Sequence, residues 1–216
     1  TTIAVAEHTI ALMLSLIRSI PQADIGMKSG QWLKQHLIGI ELSGKSLGII
    51  GMGRIGTAVG ERAKALGMKV LGYDPLLDEK EILKRGAEPT DLNNLYKNAD
   101  LITLHVPLTP QTRFLMDSQA IGHMKRGVRI ICTARGGIID ETALLAGLES
   151  GQIAGVSLDV FAEEPPGMSA LVAHPKVLAT PHIGAQTIEA QARAANDVAI
   201  EVLAALKHEP LRWKIV

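Results

Sequence analysis

One stretch limits the fold more than any other. Leu47-Gly48-Ile49-Ile50 runs directly into Gly51-x-Gly53-x-x-Gly56, and residues 54–66 then carry apolar side chains at helical spacing. Such a sequence reads as strand, tight turn and helix. The three glycines answer different demands: Gly51 permits the sharp turn, Gly53 lets the backbone approach an anion, and Gly56 lets the helix pack closely on the strand. The free N–H groups and positive dipole end of the helix, starting at Arg54 and Ile55, then favour a pyrophosphate. Residues 68–74 give a second strand ending at Asp74, which has the spacing of the acid that accepts hydrogen bonds from an adenosine ribose. A carboxylate there repels a 2′-phosphate, so the motif predicts NAD rather than NADP.

Further apolar runs at 101–106, 128–133 and 153–160 read as strands, with a fourth at 177–180 leading into Pro181-His182. Helical patterns lie between them at 78–86, at 90–100 with Asp91 as N-cap, at 117–124, and from Asp140 or Glu141 to Ser150. This alternation predicts an α/β fold, a doubly wound parallel sheet of the NAD-binding Rossmann kind. An apolar helix over residues 1–20, stopped by Pro21, precedes it, and a long amphipathic helix over 187–207 closes it. Residues 22–43 read as a loop-rich approach.

Composition excludes several classes of function. The 216 residues carry 22 Lys+Arg against 22 Asp+Glu, so no basic excess invites nucleic acid or an acidic membrane surface. The run from Ile10 to Ile17 is cut off by Arg18 and is far shorter than the roughly 20 residues of a membrane span, so it reads as a buried helix. Cys132 is the one cysteine, which fits a reducing compartment and predicts a cytoplasmic address. The histidines show no metal-ligand spacing, and no metal is expected. His8, His36, His105, His123, His174 and His208 read as ordinary structural or surface residues.

Ligands of a parallel sheet bind beyond the carboxyl ends of its strands. Arg135, in the glycine turn Ala134-Arg135-Gly136-Gly137, lies there with Asp159, Glu164 and His182, so the four can converge beside a nicotinamide. Taken in order, Gly51 to Asp74, the Arg135 turn, the run from Asp159 to Pro166 and Pro181-His182-Ile183-Gly184-Ala185 resemble the successive signatures of the D-isomer-specific 2-hydroxyacid dehydrogenases. The Glu-Glu-Pro-Pro and His-x-Gly-Ala forms are most similar to the branch that acts on 3-phosphoglycerate, at the first step of serine biosynthesis. The resemblance implies that Arg135 holds the substrate carboxylate and C2 oxygen, that His182 is the general acid/base on that oxygen, and that Glu164 hydrogen-bonds His182. It further implies a cofactor lining of Arg54, Ile55, Val106, Pro107, Thr133, Ala134, Asp159 and Gly184, with Asp159 facing the nicotinamide carboxamide. A carboxylate beside an imidazole fixes its tautomer and favours its charged form, which agrees with these roles.

Two departures from the family stand out. Cys132 occupies a place where many relatives have asparagine, and the N-terminal substrate-domain segment of the family has no counterpart here. The chain is therefore expected to comprise an NAD-binding domain over 1–190 and, over 191–216, a helix and tail that would return to the substrate domain. Such a chain should fold and bind NAD yet act weakly on a 2-hydroxy or 2-keto acid without the rest of the cleft. The resemblance also implies a homodimer paired through the apolar first helix. Glyoxylate, hydroxypyruvate or D-lactate reduction are alternative activities, and an NAD-sensing corepressor of the same fold is the alternative from another class.

Overall fold

The computed structural model describes residues 1–211. Two helices open the chain, α1 (Thr2–Arg18) and α2 (Ile20–Lys28). The nucleotide-type unit follows as β1 (Ser46–Ile50), α3 (Arg54–Ala65), β2 (Lys69–Tyr73), α4 (Glu79–Lys84) and β3 (Glu88–Pro89). The second half runs α5 (Leu92–Asn98), β4 (Leu101–Leu104), α6 (Ser118–His123), β5 (Val128–Cys132), α7 (Glu141–Glu149), β6 (Ile153–Leu158), α8 (Ala170–Ala173), β7 (Val177–Ala179) and α9 (Ile188–Leu206). The seven strands form one sheet in the order β3-β2-β1-β4-β5-β6-β7, and every pairing is parallel. The order reverses between β1 and β4, which opens a crevice at their carboxyl ends.

Both faces of the sheet are covered, because strand residues alternate between them. Leu47, Ile49, Leu101 and Ile131 face a cluster that includes Leu12, Met13 and Ile17 of α1 and Val59 and Ala63 of α3. Ile50, Ile102, Leu104 and Ile130 face the other cluster, built on Leu95, Tyr96, Ile121, Leu144 and Leu148 of α5, α6 and α7. Each fully buried aliphatic side chain contributes about 1.5–3 kcal/mol. The short helices are held at their first turns by side-chain caps: Asp78, Asp91, Asp117 and Asp140 each accept a hydrogen bond from a free N–H of the helix they open.

The structure corrects the loop reading of residues 22–43. A helix, α2, occupies Ile20–Lys28, because Pro21 stands in its first turn, where a missing N–H costs nothing, instead of merely ending α1. Ser19, with φ 50°, makes the break between the two helices. β3 and α8 are also additional to the sequence reading; segments of two and four residues are too short to show a period. The apolar α1 buries Ala4, Val5, Ala6, Leu12, Met13 and Ile17 against its own chain, so much of its apolar surface serves this core. No single helix among the described residues is long and apolar enough to cross a membrane, although α1 and α2, bent by 64°, meet that length and composition together. Along α9 only Ala190 is buried.

Candidate active site

The turn after β1 is shaped by its glycines. Gly51 has φ +97°, a left-handed conformation that a side chain would strain, and a Cβ on Gly56 would stand 2.0 Å from the Gly51 carbonyl oxygen. A Cβ on Gly53 would meet nothing within 4 Å, so this face of the turn is open. Gly53 is the N-cap of α3 and offers no side-chain cap, and the N–H groups of Gly53 and Arg54 have no acceptor among the described residues. Uncapped amides at a helix start beside open space fit a pyrophosphate. Asp74, at the end of β2, accepts hydrogen bonds from the amides of Met52 (2.9 Å) and Leu76 (3.0 Å). It borders a concavity of about 460 Å³ shared with Leu77, Pro89, Thr90 and Asn94, with room for an adenosine.

A second cavity, of about 530 Å³, lies at the carboxyl ends of β4, β5 and β6. Ile55, Val106, Pro107, Thr133, Ala134, Arg135, Asp159, His182 and Gly184, all expected at the site, line it together. Both concavities adjoin the glycine turn through one residue each: Ile55 of α3 lines this cavity, and Asp74, on which the Met52 amide is held, lines the other. Thr1, Val5, His105, Leu108 and Ala185 line the second one as well.

Arg135 is exposed, and its Nη1 donates to the Ala134 carbonyl at 2.6 Å, leaving the other guanidinium donors for a ligand. The Gly136 beside it is required by packing: a Cβ there would fall 1.7 Å from the Phe161 carbonyl oxygen. His182 Nδ1 lies 2.7 Å from Glu164 Oε2, and Glu164 Oε1 accepts from the Phe161 amide at 3.0 Å. The hydrogen bond with His182, helped by the Phe161 amide, holds the Glu164 carboxyl below its ordinary range. With Nδ1 bonded to the carboxylate, Nε2 is the ring nitrogen left for a ligand. His182 is itself in the left-handed region, φ 54°, a conformation costing about 1–3 kcal/mol that its surroundings must enforce.

Those surroundings centre on Asp159, 1% exposed at the end of β6. Its Oδ1 accepts from Thr180 Oγ1 (2.6 Å) and the Ile183 amide (2.9 Å) and lies 3.2 Å from His8 Nε2, and its Oδ2 accepts from the Gly184 amide (2.8 Å). Burial by itself would raise the carboxyl, but bonds from His8, Thr180 and the two amides outweigh it and hold the group below its ordinary value. Most of this carboxylate is spent on the His182 loop, with Oδ2 accepting a single hydrogen bond, from Gly184.

His8, Thr9 and Thr180 are site residues that the sequence reading missed. Thr9 Oγ1 donates to the Val5 carbonyl and pairs with Thr133 Oγ1 at 2.9 Å, tying α1 to the β5 end. A signal was present: Glu7-His8-Thr9 is a polar interruption in an otherwise apolar helix, and such a break in a buried face needs partners. His105 lines the cavity with Thr103 Oγ1 3.0 Å from its Nε2, and burial pushes its pKa down to about 3. It is neutral at working pH. Cys132 is buried, with its thiol pushed up to about 11 by desolvation, and its Sγ is 4.0 Å from the Arg135 carbonyl. It packs behind the arginine turn as an inert side chain.

Comparison with known proteins agrees with this geometry. Residues 10–184 match the family model described as D-isomer specific 2-hydroxyacid dehydrogenase, NAD binding domain. D-3-phosphoglycerate dehydrogenase of Bacillus subtilis is 50% identical over 210 residues, covering 97% of this chain and 40% of that protein. The chain thus spans about 40% of the length of the curated relatives it matches. Among solved structures, the pyruvate reductase of Chlamydomonas reinhardtii superposes with a TM-score of 0.92 at 31% identity, covering 99% of this chain and 69% of that one. D-lactate dehydrogenase from Aquifex aeolicus, complexed with NAD and lactic acid, superposes at 0.86 with 32% identity, covering 97% and 68%. A glycine turn with free amides, an acid ending the second strand, a cavity at the sheet's switch point and a match over residues 10–184 place the chain in the D-isomer-specific 2-hydroxyacid dehydrogenase family, as its NAD-binding domain.

Proposed function

We propose that this chain is the cofactor-binding part of an NAD-dependent oxidoreductase that interconverts a small D-2-hydroxy acid and its 2-keto acid, with 3-phosphoglycerate as the substrate. The observation that carries the reading is the His182–Glu164 pair at 2.7 Å on the wall of a cavity that Arg135 also lines. When bound, reduced NAD supplies a hydride to C2 of the keto acid. Arg135 holds the substrate carboxylate and the C2 oxygen with its planar donors. His182 Nε2 donates a proton to that oxygen as C2 accepts the hydride, so one proton and one hydride turn the ketone into the alcohol. Glu164 keeps the Nδ1 proton in place and stabilises the imidazolium before transfer. In the oxidative direction His182 takes the proton back.

The substrate choice rests on likeness to phosphoglycerate dehydrogenases over 97% of the chain. It would place the enzyme at the first step of serine biosynthesis, in the cytoplasm, a compartment in keeping with a buried, unpaired Cys132. We read residues 1–190 as the NAD-binding domain and the rest as leaving it, since beyond Ala190 no described residue of α9 is buried; residues 212–216 of that segment lie outside the described residues. A homodimer through the first helices is supported by the apolar surface that α1 and α2 leave exposed, including Ile3, Leu14, Ile20, Ile25 and Met27. The deciding assay is NADH oxidation by the full-length enzyme with 3-phosphohydroxypyruvate, glyoxylate and pyruvate as competing substrates. The highest kcat/KM is expected for the phosphorylated keto acid, with a fall of about 10²–10⁴-fold in His182→Gln. Equal turnover of the three, or an unimpaired variant, would refute the assignment.

A further inference from the structure

The Met52 residue of the glycine turn is gripped from two sides. Its N–H donates to Asp74 Oδ2 at 2.9 Å, while its carbonyl accepts from Arg85 Nη1 at 2.7 Å and, at the longer distance of 3.3 Å, from Thr57 Oγ1. Asp74 belongs to the family motif, but Arg85 comes from elsewhere, the C-cap of α4. The guanidinium is aimed by Glu81, whose Oε1 accepts from Arg85 Nε at 2.9 Å and whose own amide is fixed on the Asp78 cap. The arginine is only 30% exposed, so this bridge from α4 to the turn is partly shielded from solvent.

A trans peptide points its carbonyl and the following N–H in opposite directions. The Met52–Gly53 bond is trans, so anchoring the Met52 oxygen on Arg85 sets the direction of the Gly53 N–H. That N–H has no acceptor among the described residues, and a Cβ on the same residue would meet nothing within 4 Å. A cation on the carbonyl also polarises the peptide, which makes its N–H a stronger donor. We infer that Arg85 is a positioning residue for dinucleotide binding: through the Met52 carbonyl it orients and polarises the Gly53 amide toward the cofactor pyrophosphate. The inference rests on the reading of this turn as the pyrophosphate site. An arginine following the second strand has another familiar use, direct contact with a 2′-phosphate, and here its Nε and Nη1 are engaged by Glu81 and Met52 instead.

The test compares the wild-type chain with Arg85→Met and Arg85→Lys by calorimetric titration of NAD, NADP, ADP-ribose and adenosine, with the amide spectrum of each ligand-free protein. Arg85→Met should weaken NAD and ADP-ribose alike, by about five- to tenfold, and change adenosine by less than about twofold, because only the former carry the pyrophosphate. Arg85→Lys, a single charged nitrogen in place of the bridging fork, should recover part of the loss. In the ligand-free spectrum the Gly53 amide should move upfield in Arg85→Met while resonances of β5 and β6 stay in place. A loss confined to NADP, an equal loss for adenosine, or an unmoved Gly53 amide would each overturn the inference. If the wild-type chain binds no NAD, the cofactor reading fails on its own, and the Gly53 resonance still decides whether Arg85 orients the turn.

Discussion

Asp159→Asn is the sharpest probe of how this site is held. The carboxylate collects its bonds unevenly, with the Ile183 amide, Thr180 Oγ1 and His8 on Oδ1 and the Gly184 amide alone on Oδ2. An asparagine that puts its oxygen at the Oδ1 position keeps three partners but turns its NH₂ on the buried Gly184 N–H, two donors at a spacing of 2.8 Å in the parent. The flipped amide is worse, because it faces the donors on the Oδ1 side. One buried donor left unsatisfied costs about 1–3 kcal/mol, and the surviving bonds lose their charge assistance, so a total of about 2–4 kcal/mol is expected. For a domain of this size that lowers Tm by about 5–15 °C. The loop that keeps His182 at φ 54° should loosen as well, visible as a change in the His182 ring resonances. The pH dependence gives an independent check. The folded-state pKa of Asp159 lies below its unfolded value, so its stabilising contribution is present above about pH 4 and is lost as pH falls through the lowered folded value. The gap between wild type and variant should therefore narrow on acidification below that point. Urea unfolding at pH 7 that separates the two proteins by under about 0.5 kcal/mol, with His182 resonances unmoved, would refute the view that Asp159 holds this loop.

Three further outcomes are expected. Gly56→Ala sets a Cβ 2.0 Å from the Gly51 carbonyl oxygen, so the turn must open; stability should drop by about 1–3 kcal/mol and NAD affinity should fall with it, measured by thermal unfolding and cofactor titration. His105 has a folded pKa of about 3 against an ordinary 6.5. Between those values the unfolded chain takes a proton that the folded one refuses, so stability should fall by up to about 1.4 kcal/mol per pH unit below pH 6.5 and show no His105 contribution above it; unfolding of His105→Asn at pH 7.5, 6 and 5 should show a flatter profile. Asp74→Ala should lose the preference for NAD over NADP, and it should also weaken NAD itself because the Met52 amide loses its acceptor; tighter binding of NADP than NAD by the wild-type chain would contradict the reading.

The sheet and the nucleotide turn were legible in the sequence because local rules set them. Buried parallel strands write themselves as apolar runs, and the turn between β1 and α3 can be made only with glycine at Gly51 and Gly56, where a Cβ would strike backbone. Caps at Asp91 and Asp140 were readable for the same reason, since each satisfies amides within three residues of itself. Arg135, Glu164 and His182 could be picked out as candidates from where they stand after strands and from motifs that resemble a family. Their partnership was implied by that resemblance and not by spacing: Glu164 and His182 are 18 residues apart and meet because the loops after β6 and β7 emerge side by side. His8 shows the limit most clearly. It stands 151 residues from Asp159 and reads as an ordinary helical histidine until α1 packs across the sheet and brings it to that carboxylate. Arg85 is similar, a charged residue ending a polar helix whose target, the Met52 carbonyl, has no sequence signal at all. Backbone direction and apolar period are properties of neighbouring residues and so are carried by the chain itself. Which polar side chain satisfies which distant backbone group is settled only when burial forces each one to find a partner.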